Sequence, residues 1–158
     1  MRTSIQRKYS LIRYYYTHLA QMSLGNNTYY TLYKPMFFEF PLDPMALNDI
    51  ANNVMIGRAI KTSVNVKDLT SNTTDFYFPA GTWCSLFTPV GECIYNDVAS
   101  METLGSQLNE SYAHIREGYI VPMQDAKALN AMTTFDLQNA PIDLHILGSF
   151  RVPGFMAW

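Results

Sequence analysis

From residue 54 onward, the apolar residues of this chain recur at every second position. Such alternation is typical of β-strands, whose successive side chains point to opposite faces of a sheet. The alternating positions are Ile60, Thr62, Val64 and Val66; Phe76 and Phe78; and Ile142, Leu144 and Ile146. Prolines and glycines separate these stretches, and no long helical pattern lies among them. Short strands in series predict an antiparallel β-sandwich rather than alternating βαβ units.

The beginning of the chain has a helical pattern. Large apolar residues recur at helical spacing over residues 5–22, with Ser4 placed to cap the helix and Gly25 to end it. Because tyrosines cover most of its circumference, we expect this helix to be buried on more than one side. Asp43 and Pro44 then predict the start of a short helix that runs to about residue 52.

The change of pattern divides the chain into three parts. Residues 1–53 form a helical and extended segment, residues 54–147 a β-sandwich domain, and residues 148–158 an apolar tail that predicts a docking segment. Residues 32–40 are aromatic and apolar but are broken by Pro35, which favours an extended segment at a sheet edge. The predicted fold class is therefore mainly β with an N-terminal helical segment.

The composition predicts one domain with a partly covered surface. A chain of 158 residues that is 48% hydrophobic can bury a core. Its charged fraction of 15% is low for a free-standing domain, which indicates a partner surface. The net charge of −2 includes no basic stripe, so we expect no nucleic-acid partner. No apolar run reaches the ~18 residues of a membrane span.

The cellular compartment is left open by the N-terminal residues. No acidic residue precedes Glu39, whereas five basic residues do: Arg2, Arg7, Lys8, Arg13 and Lys34. This asymmetry superficially resembles an organelle-targeting segment, but a tyrosine-rich buried helix explains the same residues. Met1 is not followed by the apolar run of a secretory signal peptide.

Two cysteines and three asparagines are candidate sites of covalent modification. Cys84 and Cys93 could bridge neighbouring strands in an oxidising compartment, or remain reduced. Asn26, Asn72 and Asn109 each begin an N-glycosylation acceptor pattern, which matters only in a lumenal protein. The sequence contains neither a paired-cysteine motif nor a histidine cluster, and no phosphate-binding glycine loop. We therefore predict no metal site and no cofactor.

Six stretches of the chain form an ordered series. They are YSLIRYYYT (9–17), KPMFFEFPLDP (34–44), VMIGRAI (54–60), FYFPAGTW (76–83), HIREGYIVPMQ (114–124) and NAPIDL (139–144). In this order they resemble the C-terminal third of glycoside hydrolase family 31, the α-glucosidase-type enzymes. The second stretch is the most specific match.

The resemblance implies a fold and a setting. It identifies the first stretch as a late helix of the family's catalytic (β/α)8 barrel, so that the N-terminal segment is a remnant of the end of that barrel and the proximal β-sandwich follows it. It implies an endoplasmic reticulum, lysosomal or secreted parent. The residues that carry the resemblance are expected to be structural: Tyr9, Tyr15, Pro35, Phe38, Glu39, Pro41, Gly57, Pro79, Gly81, Trp83, Arg116, Gly118 and Pro122.

The chain also departs from the family's pattern. Lys34 stands where the family usually has Arg, Arg58 where an acidic residue is common, Ser63 where it has Pro, and Glu117 interrupts a pair of glycines. Functional details are therefore carried over only at matching positions.

No residue of this chain matches the family's catalytic motifs. Family members are retaining enzymes in which one Asp attacks the sugar and a second acts as acid and base. Those motifs lie upstream of the stretch that begins this chain. Glu39 and Asp43 are the acidic residues near the barrel-like part, and we expect both to be structural. The sequence predicts no catalytic residue.

Five further side chains have the chemistry of binding or catalytic groups: Trp83, Arg116, His18, His114 and His145. Trp83 is predicted to be a core or interface aromatic, with stacking on a carbohydrate as the alternative. Arg116 is expected to make a salt bridge or a backbone-carbonyl contact that fixes the sandwich against the barrel. His18 is expected to be packed or hydrogen-bonded on its helix, and His114 and His145 to be sheet-facing residues of strands.

Three functions follow from the resemblance. The first is a non-catalytic segment of an α-glucosidase-like hydrolase that braces the barrel. The second is a truncated, inactive homologue that serves as a structural or interaction subunit of a larger assembly. The third is a carbohydrate-binding module, although we do not expect sugar binding. The first two imply a protein partner: the remainder of a glycoside hydrolase, or a larger assembly.

Overall fold

The computed structural model describes residues 2–25, 31–48, 50–65, 70–87, 92–105 and 112–148. Its α-helices are α1 (Arg2–Ser10), α2 (Ile12–Leu24) and α3 (Met45–Asn48), and Met36–Phe38 and Thr134–Leu137 form 3₁₀ turns. Its strands are β1 (Tyr33–Pro35), β2 (Asn53–Ile56), β3 (Ile60–Ser63), β4 (Thr73–Phe78), β5 (Gly81–Ser85), β6 (Cys93–Asn96), β7 (Ser100–Gly105), β8 (Tyr112–Arg116), β9 (Tyr119–Met123) and β10 (Asp143–Leu147).

The strands form one large sheet and two ribbons. The large sheet has six strands in the order β1-β2-β3-β8-β5-β6, and every pairing is antiparallel. Strand β4 pairs with β7, and β9 with β10, in two-stranded antiparallel ribbons. The predicted fold class, mainly β and antiparallel with an N-terminal helical segment, is confirmed.

The large sheet is buried on both faces, which gives the domain two hydrophobic clusters. On one face Ile56, Ile60 and Ile115 occupy paired positions and pack with Leu11 and Tyr14 of the helical segment. The other face packs against the β4–β7 ribbon, in a cluster made of Met36, Ala46, Met55, Phe76, Tyr77, Phe78 and Trp83. Because both faces of the sheet are covered, Ile60 and Lys61, which are neighbours on one strand and point to opposite faces, are both fully buried.

The single helix predicted over residues 5–22 is wrong, because the chain forms two helices that meet at Leu11. The backbone of Leu11 has φ −95° and ψ 6°, and its N–H donates to the Lys8 carbonyl at 3.2 Å. This bend places Leu11 in the core, where it is 3% exposed. Ser4 lies inside α1 rather than capping it, whereas Gly25 does end α2, donating to the Gln21 carbonyl at 3.0 Å.

The expectation that this helical segment is buried on more than one side is also wrong within this chain. Leu11 and Tyr14 are buried, but Tyr16, Leu19 and Leu24 are 71%, 49% and 86% exposed. The physical reason is that the six-stranded sheet and β9 cover a single side of α2. The opposite side keeps its large apolar residues on the surface.

The sheet extends across the boundary proposed at residue 53. Lys34 of β1 pairs with Met55 of β2, so the extended part of residues 1–53 supplies an edge strand to the sandwich. The short helix predicted after Asp43 is α3, whose Met45 N–H donates to the Asp43 carboxylate at 2.9 Å, but α3 ends at Asn48 rather than at about residue 52. The division into three parts stays a prediction.

Two of the alternating stretches behave differently from the simplest expectation. Strand β3 ends at Ser63, Val64 is exposed, and Val66 lies outside the described residues. Strand β10 is present, but its alternating residues Leu144 and Ile146 are 60% and 65% exposed.

Of the predicted tail, residues 149–158 lie outside the described part. In the part of the chain that is described, no helix has the length and apolar character needed to cross a bilayer.

Candidate functional site

Glu39 lies at the centre of an ionic cluster that joins four segments of the chain. Its carboxylate pairs with Lys34 of β1, and its two oxygens lie 3.7 Å from the Arg58 Nε and 3.6 Å from an Arg116 terminal nitrogen. The Glu39 side chain is 13% exposed. A partly buried carboxylate requires such positive neighbours. The cluster therefore fixes the turn after β1 against the β2–β3 and β8–β9 turns.

Arg116 makes a salt bridge and two aromatic contacts. Its guanidinium lies 4.6 Å from the centre of the Phe40 ring and 5.7 Å from that of Tyr119, so the cation is held between the segment after β1 and the start of β9. Such cation–π contacts contribute about 0.5–1 kcal/mol each where they are exposed. Within this chain, Arg116 connects the residue 31–48 segment to the sheet.

Trp83 is a core residue. It is 0% exposed, its indole N–H donates to the Pro79 carbonyl at 3.1 Å, and its ring packs against Phe40 and Phe78. A tryptophan that stacks on a sugar must offer an open face to solvent. Its burial corrects the alternative of a carbohydrate-stacking Trp83.

Asp43 is used in local structure. One carboxylate oxygen accepts the Met45 N–H that begins α3, and the other accepts the Tyr77 hydroxyl at 2.5 Å. Burial, followed by the hydrogen bond to Asp43, raises the pKa of the Tyr77 phenol well above its usual value. With Glu39 held by three cations, both acidic residues of this segment are engaged in structural contacts.

A buried polar cluster that the sequence did not predict lies between the sheet and the β4–β7 ribbon. Lys61 is 0% exposed, its ammonium group donates to Ser63, and it lies 3.7 Å from the centre of the Phe78 ring. His114 is its partner across the strands and stands edge-on to the same ring. Burial, and secondarily the charge of Lys61, lowers the pKa of His114 to about 3. Lys61 lies between the alternating positions Ile60 and Thr62, a pattern that predicts a solvent-facing lysine. The sequence therefore did not predict this cluster.

A tight contact between α2 and the β2–β3 turn surrounds Gly57. The Tyr14 hydroxyl donates to the Ile56 carbonyl at 2.8 Å, and the His18 ring packs edge-on against Tyr14. Burial lowers the pKa of His18. Gly57 has φ +62°, and a Cβ atom there would lie 2.4 Å from the Tyr14 oxygen. The glycine lets α2 approach the sheet.

The structure places the candidate modification sites as follows. Cys84 and Cys93 are directly paired residues of β5 and β6 and are joined by a disulfide, with their Cα atoms 4.1 Å apart. Asn72 is exposed just before β4. Asn26 and Asn109 lie outside the described residues. Among residues whose positions are described, no group of three or more His, Cys, Asp or Glu side chains could hold a metal ion.

The residues that carry the sequence motifs differ in exposure. Gly57, Pro79 and Trp83 are buried, and Phe38, Pro41 and Gly118 are exposed. Seven are intermediate: Tyr9, Tyr15, Pro35, Glu39, Gly81, Arg116 and Pro122. Most therefore contribute to the interior or its margin rather than to an open cleft.

The two histidines that were expected in strands lie there: His114 is in β8 and His145 is in β10.

The described surface carries an exposed apolar area that reaches from α2 to the β9–β10 ribbon. Tyr16 and Leu24 of α2 and Ile120 of β9 line one groove. Ile120 pairs with Ile146 of β10, and both side chains are more than half exposed. Groups of exposed large apolar side chains mark contact sites in soluble proteins. We call this area, made of Tyr16, Leu24, Ile120, Leu144 and Ile146, the apolar surface.

Comparisons with known proteins identify similar sequences and folds. The model of the glycosyl hydrolase family 31 C-terminal domain matches residues 29–121, more than half of the chain. Lysosomal alpha-glucosidase of Mus musculus is 26% identical over 175 residues, an alignment that covers 100% of this chain and 17% of that relative.

Two solved structures share the fold. The glucosidase II alpha subunit in its α3-Glc2-bound form gives a TM-score of 0.77 at 19% identity, covering 92% of this chain and 15% of that one. The GH31 dextranase of Flavobacterium johnsoniae complexed with isomaltotriose gives a TM-score of 0.74 at 20% identity, covering 94% and 17%. These proteins are several times longer than the chain that matches them.

Proposed function

Because this chain belongs to glycoside hydrolase family 31, we propose that it is a non-catalytic C-terminal segment of a longer α-glucosidase-type hydrolase and braces that enzyme's barrel. In this proposal residues 1–53 are the remnant of the end of the barrel, and residues 54–147 are the proximal sandwich. The activity of the longer protein is the retaining hydrolysis of α-glucosidic bonds.

The observation that supports this function best is the uncovered side of α2. Tyr16, Leu19 and Leu24 form an outward row on a helix whose inward side is already packed on the sheet. Burial of one such side chain is favourable by about 1.5–3 kcal/mol. A barrel packed against α2 would supply that burial.

In this function the ionic cluster holds the segment after β1 in a fixed position relative to the sandwich. Glu39 connects the segment that follows β1 to Arg116 at the end of β8 and to Lys34. A displacement of the segment would leave a partly buried carboxylate without its cations, which is strongly unfavourable. A barrel end seated on this segment would therefore be held in a defined position relative to the sandwich.

The acidic residues of this segment support a role without catalysis. Retaining glycosidases need two carboxyl groups roughly 5–5.5 Å apart, one of them free to donate a proton. Glu39 instead faces three cations, and Asp43 accepts hydrogen bonds from Tyr77 and Met45. The catalytic pair is expected in another part of the longer protein.

The disulfide fits the compartment that the family resemblance implies. A bond between Cys84 and Cys93 persists in the secretory pathway or outside the cell and is rare in a reducing cytosol. We infer an endoplasmic reticulum, lysosomal or secreted location, in which the exposed Asn72 is available for glycosylation.

The native protein, captured with an antibody against this chain, tests the proposal. We expect an intact mass well above 18.0 kDa and hydrolysis of p-nitrophenyl α-glucoside, and no hydrolysis by the purified 158-residue chain. Hydrolysis by the chain alone, abolished by Glu39→Gln or Asp43→Asn, would contradict it.

A second function is favoured by the same apolar surface. In this second function the chain is a truncated, inactive homologue that serves as a structural or interaction subunit and buries the surface on a separate protein. A native mass of 18.0 kDa, recovered in a stable complex without glucosidase activity, would select this function over the first.

A further inference from the structure

The ionic cluster around Glu39 has an excess of positive charge. Three cations, Lys34, Arg58 and Arg116, lie within 3.7 Å of one carboxylate. One negative charge neutralises one of the three, so the described side chains of the cluster carry a net charge of +2. Such an excess attracts an anion, and more strongly where part of the site is shielded from water.

Arg58 is the member of the cluster that faces outward. Its side chain is 64% exposed, compared with 10% for Lys34 and 27% for Arg116. The 3.7 Å separation from Glu39 exceeds hydrogen-bonding distance, so this contact leaves the donors of its guanidinium to solvent. Guanidinium groups bind carboxylates through two parallel hydrogen bonds. Arg58 therefore offers a directional site for an incoming carboxylate.

Arg58 also lies at the rim of an apolar groove. The groove has a volume of about 1000 Å³ and runs between α2 and β9, with Tyr16, Leu24 and Ile120 among its lining residues. At Ile120 it joins the exposed ribbon residue Ile146. An occupant that fits both features must combine a negative charge with adjacent apolar groups.

We propose that this groove binds a polypeptide segment that carries a carboxylate side chain next to large apolar side chains. The carboxylate pairs with Arg58, and the apolar side chains lie against Leu24 and Ile120. A small inorganic anion would satisfy Arg58 but leave the apolar surface uncovered, and a basic segment would be repelled by the cluster. The inference rests on the proposed function in one respect. It states the chemistry of the surface that, in the longer protein, would cover α2.

Nuclear magnetic resonance of the full chain, at a concentration at which sedimentation shows it to be a monomer, tests the inference with defined peptides. The probes are the capped tripeptide acetyl-Leu-Glu-Leu-amide and its Gln analogue, titrated to 20 mM while the Arg58 Nε–Hε signal and the Ile120 amide are followed. We expect both signals to move with the Glu peptide, and the Gln peptide to bind about fivefold more weakly, as an exposed charge pair implies.

Two variants make the test specific. Arg58→Gln should remove the difference between the two peptides, whereas Lys127→Gln should leave it unchanged, because Lys127 is an exposed cation that lines a different pocket. The backbone spectrum of each variant verifies that it is folded. Equal binding of the two peptides, no shift up to 20 mM, or equal displacement by inorganic phosphate would each overturn the inference.

The result is independent of the test of the proposed function. A native mass of 18.0 kDa would remove the longer enzyme but not the preference of the groove for the Glu peptide. Conversely, failure of the peptides would leave the longer enzyme in place, with α2 covered by a surface of different chemistry.

Discussion

At the scale of single residues, the tightest constraint lies at Gly57. Its positive φ is unfavourable for residues with a side chain, and a Cβ atom would lie 2.4 Å from the Tyr14 oxygen and 2.9 Å from the His18 Nε2 atom. We expect Gly57→Ala to destabilise the fold by about 2–4 kcal/mol, from the left-handed backbone and from overpacking together. Urea unfolding measures the difference.

Gly118→Ala is the matched control for that prediction. Gly118 also has a positive φ, +81°, but a Cβ atom there meets nothing within 4 Å. This variant isolates the backbone cost, about 1–2 kcal/mol. If the two substitutions cost the same, the close approach of α2 to Gly57 contributes nothing to stability.

His114 should make the stability of the chain depend on pH. Because its pKa falls from 6.5 to about 3 on folding, the unfolded chain binds more protons between these values. Stability is therefore fully present above pH 6.5 and is lost as the pH falls toward 3, by up to about 1.4 kcal/mol per pH unit. Unfolding in urea at several pH values tests this, and His114→Gln should make the profile shallower. The slope that remains below pH 6.5 belongs to His18, whose pKa burial also lowers.

Asp136 provides a way to separate this effect from the titration of carboxylates. Hydrogen bonds from the backbone of Thr133 and Met132 lower the pKa of this fully exposed residue below 3.8. Its contribution is therefore lost only below about pH 4, where His114→Gln should still lose stability. A His114→Gln profile as steep as that of the unchanged chain between pH 6.5 and 5 would show that His114 is not responsible.

At the scale of elements, one buried amide fastens α2 to the segment that follows β9. Gln124 is 1% exposed, and its Nε2 group donates to the carbonyls of Leu137 and Ala140 at 2.9 Å. Its oxygen accepts the Arg13 Nε–H, and the Arg13 guanidinium also donates to Leu137 and Gln138. The helix and the 3₁₀ turn Thr134–Leu137 are therefore held by one hydrogen-bonded group.

We expect Gln124→Leu to weaken this fastening. The change leaves buried carbonyl groups with fewer donors, which costs about 1–3 kcal/mol. Hydrogen exchange should become faster in α2 and in residues 134–140, with little change in the β4–β7 ribbon. Gln138→Leu, at an exposed side chain, should leave both regions unchanged. Faster exchange throughout the chain would mean that Gln124 acts on global stability instead.

The sequence predicted which elements exist better than it predicted how they face. Periodicity identified the helical segment and β3, β4 and β10, but the same helical spacing continues across Leu11, so the bend left no signal. Likewise, alternation in β10 is identical whether Leu144 and Ile146 point into a core or into solvent. Lys61 is buried because the β4–β7 ribbon covers it, a long-range contact that a local pattern does not contain. Which face of an element is buried depends on its tertiary partners. The contacts of the ionic cluster around Glu39 and of the buried polar cluster around Lys61 depend on them too.

At the scale of the whole molecule, the low charge content and the apolar surface describe the same property. Only 15% of the residues are charged, and large apolar side chains are exposed along one continuous area from α2 to β10. A protein with a surface of this kind stays in solution when a partner covers that surface. The isolated chain should therefore bury it by association with further copies of itself.

We expect Leu24→Lys to shift the isolated chain toward the monomer, because it places a charge in the apolar surface at a residue that is 86% exposed and contributes little to the core. Sedimentation velocity over a range of concentrations should show smaller species than the unchanged chain forms, with the same unfolding midpoint. Leu42→Lys is the matched control, since Leu42 is 95% exposed in the loop before α3, outside the apolar surface. If Leu42→Lys reduces association as much as Leu24→Lys does, general solubility accounts for the change and α2 has no special part in it. If neither variant associates less, the surface is not what brings the chains together, and the covering of α2 by a barrel loses its main physical support.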